Sequence, residues 1–343
     1  MLPLFPLLSL LSIFGCEQDY NVARNSNTDT FLQEPVNQVD ILWVIDDSVS
    51  MQQEQERVSS AFETFIGSIA DANIDFHLGV ITTDMDTDNP NRGELVGKPK
   101  VITGDDDYVK AFRDRVTVGT EGADQEKGLS AALRAVTEPM VSGANAGFLR
   151  PDAHLSIIFV SDENDCSDGD ALAGQPGSAC YDQRDQLLPV ADFVQDFKDL
   201  KDGTEARVLA SAIVGPEVAA GCSDSWPGAR YWSIAEGTGG IVGDICETDY
   251  SGLMEELGLE ASGILSTFAL SNAAVEETIQ VLVGEEEIPQ DAATGWTYDA
   301  VYWIVRFDGS YVPPARHDDQ HHLRGPQRRR APGRGDDHGV SGR

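Results

Sequence analysis

The segment DDSVS, residues 46 to 50, places two carboxylates and two hydroxyls within five residues. Asp46, Ser48 and Ser50 occupy alternate positions, so a tight turn can direct three oxygen ligands at one point. Hard divalent cations such as Mg²⁺ prefer oxygen shells of this kind, in which water keeps some positions. The spacing therefore predicts a cation site. The alternative is that the two hydroxyls cap the N-terminus of a helix without any metal.

A further carboxylate stands at the end of a distant apolar run. Residues 154 to 163, HLSIIFVSDE, include Asp162 directly after the apolar part, just as ILWVI is followed by Asp46. In open α/β sheets, ligands bind at the carboxyl edge of the strands, beside the point where the strand order reverses. We therefore expect Asp162 to lie near Asp46 and to serve the same cation.

The elements that must position these residues alternate between strand and helix. VDILWVI, residues 39 to 45, has the continuous apolar character of a strand buried on both faces. Apolar residues from Val58 to Ile69 then recur at helical spacing. This alternation predicts an α/β fold, with a doubly wound, mainly parallel sheet and helices on both faces. The further strands are predicted at 75–84, 154–163 and 206–215, and the further helices near 129–136, after Pro189, at 231–240 and at 249–266.

The pattern changes from about residue 268 to short strands separated by Gly, Asp and Pro. We therefore assign residues 38–268 to the α/β domain and residues 269–314 to a small β appendage. Residues 315–343 are rich in Arg, Gly and His and almost without apolar residues, so they cannot form a core. They are interpreted as a disordered basic tail, explained either by a role in binding polyanions or by a frameshift in the gene.

The first sixteen residues, MLPLFPLLSLLSIFGC, are apolar but too short to span a bilayer, which predicts an export signal. IFGC resembles the lipobox of bacterial lipoproteins, and this resemblance implies lipidation of Cys16. The residue after the cysteine is Glu17 rather than Asp, which favours an outer-membrane lipoprotein. Residues 17–37 are polar and aperiodic, as expected of a tether. A plain secretory signal or a wrongly assigned start codon is the alternative.

The four remaining cysteines agree with export to an oxidising compartment. Their number is even and they lack the CxxC spacing of metal sites, so disulfides are predicted. Three pairings are open. We favour pairing by proximity in sequence, because each pair then closes a loop that contains Gly and Ser. The favoured pairs are Cys166 with Cys180 and Cys222 with Cys246.

The charge of the chain restricts its partners. Asp and Glu number 58 against 24 Lys and Arg, which gives a net charge of −34. Nucleic acids and anionic membrane surfaces are therefore poor partners for the folded part, whereas divalent cations are suitable ones. Contact with a membrane is expected only through the N-terminal lipid anchor.

The two motifs in which an apolar run is followed by acidic residues together resemble the von Willebrand factor type A family. They are DILWVIDDSVSM and LSIIFVSDENDCS, and the resemblance extends over about residues 38–268. The chain is similar in particular to bacterial envelope lipoproteins of this family, in which a lipobox, a polar tether and a VSDExD loop occur in this order. The resemblance implies a metal-ion-dependent adhesion site.

The family pattern assigns roles to individual residues of this chain. It implies that Ser48 and Ser50 coordinate the ion directly, and that Asp46 and Asp162 act mostly through bound water. The family also uses a Thr from the loop before a later helix. Thr120 is the candidate for that position, and Asp124, which is closer to the helix, is the rival ligand.

The resemblance implies binding rather than catalysis. An ion such as Mg²⁺, Mn²⁺ or Ca²⁺ with few direct carboxylate ligands accepts an Asp or Glu side chain from a protein partner. A structural or Ca²⁺-binding envelope protein with a vestigial metal site is the alternative. A metal-dependent hydrolase is disfavoured, because His77 and His154 lie within strand patterns and no catalytic motif is present. We predict that the chain is not an enzyme.

Overall fold

The computed structural model describes residues 27–31, 37–71, 73–201, 207–217, 225–263, 267–292, 294–300 and 303–307. The predicted export signal with Cys16, most of the predicted tether, Cys222 and the C-terminal tail lie outside these ranges. None of the helices within them is long and apolar enough to cross a membrane.

A six-stranded sheet forms the centre of the fold. Its strands are β1 (Gln38–Ile45), β2 (Asp75–Thr82), β3 (Ile102–Thr103), β4 (His154–Ser161), β5 (Val208–Val214) and β6 (Val242–Asp244). The strand order is β3-β2-β1-β4-β5-β6, and only β3 runs antiparallel to its neighbour. The predicted doubly wound, mainly parallel sheet is therefore confirmed. The edge strands β3 and β6 were not predicted, since two or three residues carry no periodicity.

Helices cover both faces of the sheet. One face carries α1 (Gln52–Asp71), α2 (Tyr108–Val116) and α7 (Ser251–Ala261), and the other carries α3 (Gly128–Ala135), α5 (Val190–Asp199) and α6 (Ala229–Thr238). The short α4 (Ala179–Asp182) lies in the connection after β4. Successive side chains of a strand point to opposite faces. Ile41 and Trp43 accordingly lie in one core, and Leu42 and Val44 lie in the other.

A cluster of aromatic rings packs α1 against β1 and α2. The predicted apolar stripe of α1 is buried, and its Phe62 stacks on Phe112 of α2 with 3.7 Å between ring centroids. Trp43 of β1 contacts Phe112 edge-on. Because β1 and α1 are held in one core, the turn that joins them is fixed at both ends.

Two small sheets follow the α/β part, which confirms the β appendage. The strands β7 (Thr267–Ala269), β10 (Trp296–Asp299) and β11 (Ile304–Phe307) form one sheet, and β8 (Val281–Val283) pairs with β9 (Glu286–Ile288). Residues 27–31, within the predicted tether, lie against this appendage. The ring centroids of Phe31 and Phe268 are 5.1 Å apart, and the Asn27 amide donates to the Ser271 hydroxyl.

The disulfide Cys166–Cys180 is present as predicted and closes the connection after β4. Cys246 is also disulfide-bonded. The predicted pairing of Cys246 with Cys222 stays a prediction.

Candidate metal centre

The predicted ligands lie where the strand order reverses. The chain proceeds outwards from β1 to β2 and β3, and then returns to place β4 on the other side of β1. Asp46 and Asp162 are the first residues after β1 and β4. The Asp46 N–H donates to the Val160 carbonyl at 3.0 Å, which aligns the two strand ends. The sheet therefore brings residues 116 positions apart to one edge, the ligand-binding edge of such folds.

The DDSVS turn brings its hydroxyls together. The Ser48 N–H donates to Asp46 Oδ1 at 2.8 Å, and the Oγ atoms of Ser48 and Ser50 lie 3.2 Å apart. Ser48 occupies the N-cap position of the short 3-10 turn Val49–Met51, but its side chain makes no capping hydrogen bond. Helix capping therefore does not account for the Ser48 hydroxyl.

Asp162 and Ser161 join this turn to the end of β4. The Asp162 carboxylate is hydrogen-bonded to the Ser50 hydroxyl. The Ser161 hydroxyl donates to Asp46 Oδ2 at 2.6 Å, and the Glu163 N–H donates to Ser161 Oγ at 3.1 Å. Of the residues predicted as ligands, Asp46, Ser48, Ser50 and Asp162 thus form one connected cluster.

The other two candidates lie in the loop before α3. Gln55 Nε2 donates both to the Asp46 carbonyl and to the Gly119 carbonyl, at 2.9 and 2.8 Å, so the loop is tied to the DDSVS turn. Thr120 is half-buried there, and within the described part of the chain its hydroxyl makes no hydrogen bond to the four clustered residues. Asp124 is exposed. It lies near Glu163, whose pKa is raised to about 7 by burial, by Asp46 and by Asp124.

Glu126 belongs to the same loop and is buried beside Asp46, with only 1% of its surface exposed. Its carboxyl group lies within hydrogen-bonding distance of the Asp46 carboxyl group and accepts a hydrogen bond from the Thr83 hydroxyl. Glu126, Thr83 and Ser161 were not predicted as site residues from the sequence. The one sequence signal for Glu126 is its place just before α3, where the resemblance described above implies a Thr.

The cluster concentrates negative charge in a buried place. Burial raises the pKa of Asp46, and burial together with Asp46 raises the pKa of Glu126 well above its usual range. The pKa of Asp162 is raised to about 7 by burial and then by Asp46. Among the residues that the structure describes, no Lys, Arg or His forms a salt bridge with Asp46, Glu126, Asp162 or Glu163. The field of these carboxylates therefore favours a cation.

Three carboxylate oxygens at this edge are buried without a hydrogen-bond partner. They are Glu126 Oε1, Asp162 Oδ1 and Asp47 Oδ1. Burying an unpaired charge costs free energy unless an opposite charge or donor is supplied. Carboxylate and hydroxyl oxygens are the ligands of hard cations, so the donor set fits Mg²⁺, Mn²⁺ or Ca²⁺.

The carboxylates by themselves do not form a complete ligand set. In the described ranges, no three Asp, Glu, His or Cys side chains are grouped closely enough to hold a metal ion. A shell at this edge thus depends on the hydroxyls of Ser48 and Ser50 as well as on the carboxylates. That mixed composition is the one expected from the D-x-S-x-S spacing.

Asp165 and Asp168, two other acidic residues of the loop after β4, have partners and stabilise this loop. Asp165 accepts from the Leu129 N–H at the start of α3 and from Arg230 Nε, at 3.0 and 2.9 Å. The Lys127 ammonium lies 2.8 Å from Asp168 Oδ1, with both side chains buried. This loop is therefore fixed against α3 and α6, and it holds Asp162 at the edge of the sheet.

Comparison with known proteins does not assign a family to the chain. No family profile and no curated protein matches it. A solved structure of proximal thread matrix protein 1 from the mussel byssus is similar, with 16% sequence identity and a TM-score of 0.38. The match covers 70% of this chain and 51% of the mussel protein, so the chain spans about half the length of that relative.

Proposed function

We propose that this protein binds a divalent cation, Mg²⁺ or else Mn²⁺ or Ca²⁺, at the carboxyl edge of β1 and β4. The ion then binds an Asp or Glu side chain of a protein partner, as in the metal-ion-dependent adhesion sites of the von Willebrand factor type A family. One observation carries the proposal. Asp46, Ser48, Ser50 and Asp162 are connected by hydrogen bonds at the reversal of the strand order, beside buried carboxylate oxygens without partners.

The roles of the residues follow from their chemistry. Ser48 and Ser50 would coordinate the ion through their hydroxyls, while Asp46 and Asp162 would hold its water ligands. The loop before α3, for which Thr120 or Asp124 was the predicted ligand, would complete the shell. An ion held partly by neutral hydroxyls keeps affinity for an additional anionic ligand, and a carboxylate from a partner provides it.

Binding rather than catalysis is supported by the position of the histidines. His77 Nδ1 lies 3.0 Å from the Phe148 carbonyl oxygen and 3.9 Å from Asp40 Oδ1, and Asp40 stands near the start of β1, away from Asp46. His154 is the first residue of β4, at the opposite end from Asp162. Neither histidine is placed to act as a general base at the proposed ion. We therefore propose an interaction protein and not an enzyme.

The export signal and the Cys16 lipobox extend the proposal to location. We place the protein in the cell envelope as an outer-membrane lipoprotein, with the folded part in the periplasm or at the cell surface. The disulfide Cys166–Cys180 supports an oxidising compartment.

Calorimetric titration of the full chain with Mg²⁺, Mn²⁺ and Ca²⁺ tests the cation site. We expect a saturable binding step in the unmodified protein and its loss in Asp46→Ala, because that variant removes the carboxylate that accepts from the Ser48 N–H and the Ser161 hydroxyl. Asp105→Ala, an exposed acid away from this edge of the sheet, is the control and should bind like the unmodified protein. An unmodified protein without any binding step would contradict the proposal.

Partner binding is tested with the same protein immobilised on beads. Envelope proteins captured in the presence of Mg²⁺ should be released by EDTA, and the double variant Ser48→Ala, Ser50→Ala should not capture them. Capture that persists in EDTA would contradict a metal-dependent partner site.

A structural or Ca²⁺-binding envelope protein is the second candidate. The observation that favours it is the surplus of carboxylates, since Glu126 and Glu163 add charge beside Asp46 and reduce the attraction of the ion for an acidic partner. Ca²⁺ binding without any metal-dependent capture would favour this second function.

A further inference from the structure

The backbone of Glu126 is bonded to two neighbouring segments of the chain. It forms a bridge with Asp84, and its carbonyl accepts from the Cys166 N–H at 2.6 Å. The next residue, Lys127, donates its N–H to the Thr83 carbonyl at 3.1 Å. The residues just after β2 and the loop after β4 therefore fix the backbone at Glu126, and with it the direction from which its side chain approaches Asp46.

The side chain of Glu126 lacks the partner that a structural carboxylate would have. One oxygen accepts from the Thr83 hydroxyl, and the other, Oε1, is buried without any donor. The nearest cation in sequence is Lys127, but its ammonium pairs with Asp168 at 2.8 Å. Glu126 instead faces the Asp46 carboxyl group within hydrogen-bonding distance. Two carboxyl groups in contact, with a cationic side chain directed elsewhere, are an arrangement that a bound cation would stabilise.

We propose that Glu126 is a direct ligand of the cation. It provides the ligand from the loop before α3, the third segment around the ion, in place of a neutral hydroxyl from Thr120. This inference rests on the proposed cation site. Its consequence is that the shell holds its ion before any partner arrives. A carboxylate contributes a full charge where a hydroxyl contributes a dipole, and the charge count of the ligands sets the affinity for such ions.

The proposal predicts that removing the charge of Glu126 stabilises the metal-free protein but weakens metal binding. Glu126→Gln keeps the shape of the side chain and removes its charge. With EDTA, this variant should unfold at a higher temperature than the unmodified protein, because the buried repulsion with Asp46 is gone. In metal titrations it should bind Ca²⁺, Mg²⁺ or Mn²⁺ at least about tenfold more weakly, a loss of the size expected when a group around a metal is removed.

Two further variants separate a ligand from a structural residue. Glu126→Asp keeps the charge but shortens the reach, so it should weaken metal binding without stabilising the metal-free protein. Glu121→Gln removes the same charge from an exposed position in the same loop, and both measurements should match those of the unmodified protein.

Each outcome has a distinct meaning. Unchanged metal affinity in Glu126→Gln, with binding still abolished in Asp46→Ala, would overturn the role of Glu126 and leave the cation site standing. A lower unfolding temperature of Glu126→Gln in EDTA would also overturn it, because Glu126 would then be a structural hydrogen-bond acceptor. Absence of metal binding in the unmodified full chain would refute the proposed function itself.

Discussion

At the scale of single residues, two buried aspartates of the β1 region have opposite surroundings. Asp40 lies within β1 and is bonded to Arg150 at 2.7 Å, with Lys201 at 3.8 Å. Asp46, directly after the same strand, accepts from hydroxyl and backbone N–H donors, and among the described residues no cationic side chain pairs with it. A buried charge that already has cationic partners is structural. A buried charge without them leaves room for an external cation, and this difference supports the cation site proposed at the carboxyl edge.

A third buried acid, Glu260 of α7, gives a pH-dependent prediction. Burial, together with the neighbouring Glu256, raises the pKa of Glu260 from 4.5 to about 8, although the Ser211 hydroxyl donates to it at 2.5 Å. Since the folded-state pKa is the higher one, its contribution to stability is complete below about pH 4.5 and is lost as the pH rises through 8.

Glu260→Gln should therefore remove part of the pH dependence. We expect its unfolding free energy to match that of the unmodified protein at pH 4 and to exceed it at pH 9 by a few kcal/mol, since each pKa unit corresponds to about 1.4 kcal/mol. Denaturant unfolding at both pH values measures this difference. An equal effect at both pH values would show that Glu260 does not titrate in this range.

At the scale of elements, α1 and α7 approach each other at a glycine. A Cβ atom on Gly258 would lie 2.2 Å from the Phe65 carbonyl oxygen of α1, and a backbone atom cannot rotate away. The same helix carries Gly252, where a Cβ atom would meet nothing within 4 Å. The two glycines thus differ in packing although both lie in α7.

Substitution by Ala should separate the two positions. Gly258→Ala should destabilise the protein by about 1–3 kcal/mol or more, because α1 and α7 must move apart. Gly252→Ala should be neutral or slightly stabilising, since Ala is the better helix former. Thermal unfolding of both variants checks this. Equal effects would mean that the two helices are not in close contact at Gly258.

Prediction from sequence succeeded for the long elements and failed for the short ones. The strand β1 and the helix α1 were predicted correctly because the run VDILWVI and a repeating apolar face are strong sequence signals. The helix α2, which contains most of the segment AFRDRVTV, was not among the predicted helices. The edge strand β3 pairs over two residues, and tertiary contact rather than pattern makes it a strand.

At the scale of the whole molecule, the net charge of −34 repels itself, and part of this charge is concentrated at the carboxyl edge of the sheet. Any salt screens the general repulsion. A divalent cation bound at the proposed site would in addition remove the local repulsion between Asp46, Glu126 and Asp162. Screening and specific binding of a divalent cation require different salt concentrations.

Divalent cations should therefore raise the unfolding temperature beyond the effect of screening. At a hundred times the dissociation constant, a ligand that binds only the folded state adds about 2.7 kcal/mol. NaCl at equal ionic strength is the control for screening, and Asp46→Ala is the control for the site. Scanning calorimetry measures all three. The same rise with NaCl, or in Asp46→Ala, would contradict a specific site.

The sequence by itself determined the order of the long strands and helices and the D-x-S-x-S turn, because hydrophobic periodicity and local spacing are properties of neighbouring residues. Only the tertiary structure decided which residue of the loop before α3 lies buried beside Asp46. Glu126 and Asp46 are 80 positions apart and meet through the parallel pairing of β1 with β2 and β4, together with backbone hydrogen bonds that fasten the loop before α3. The burial and missing partners of a carboxylate depend on residues from several elements, and no local pattern records them.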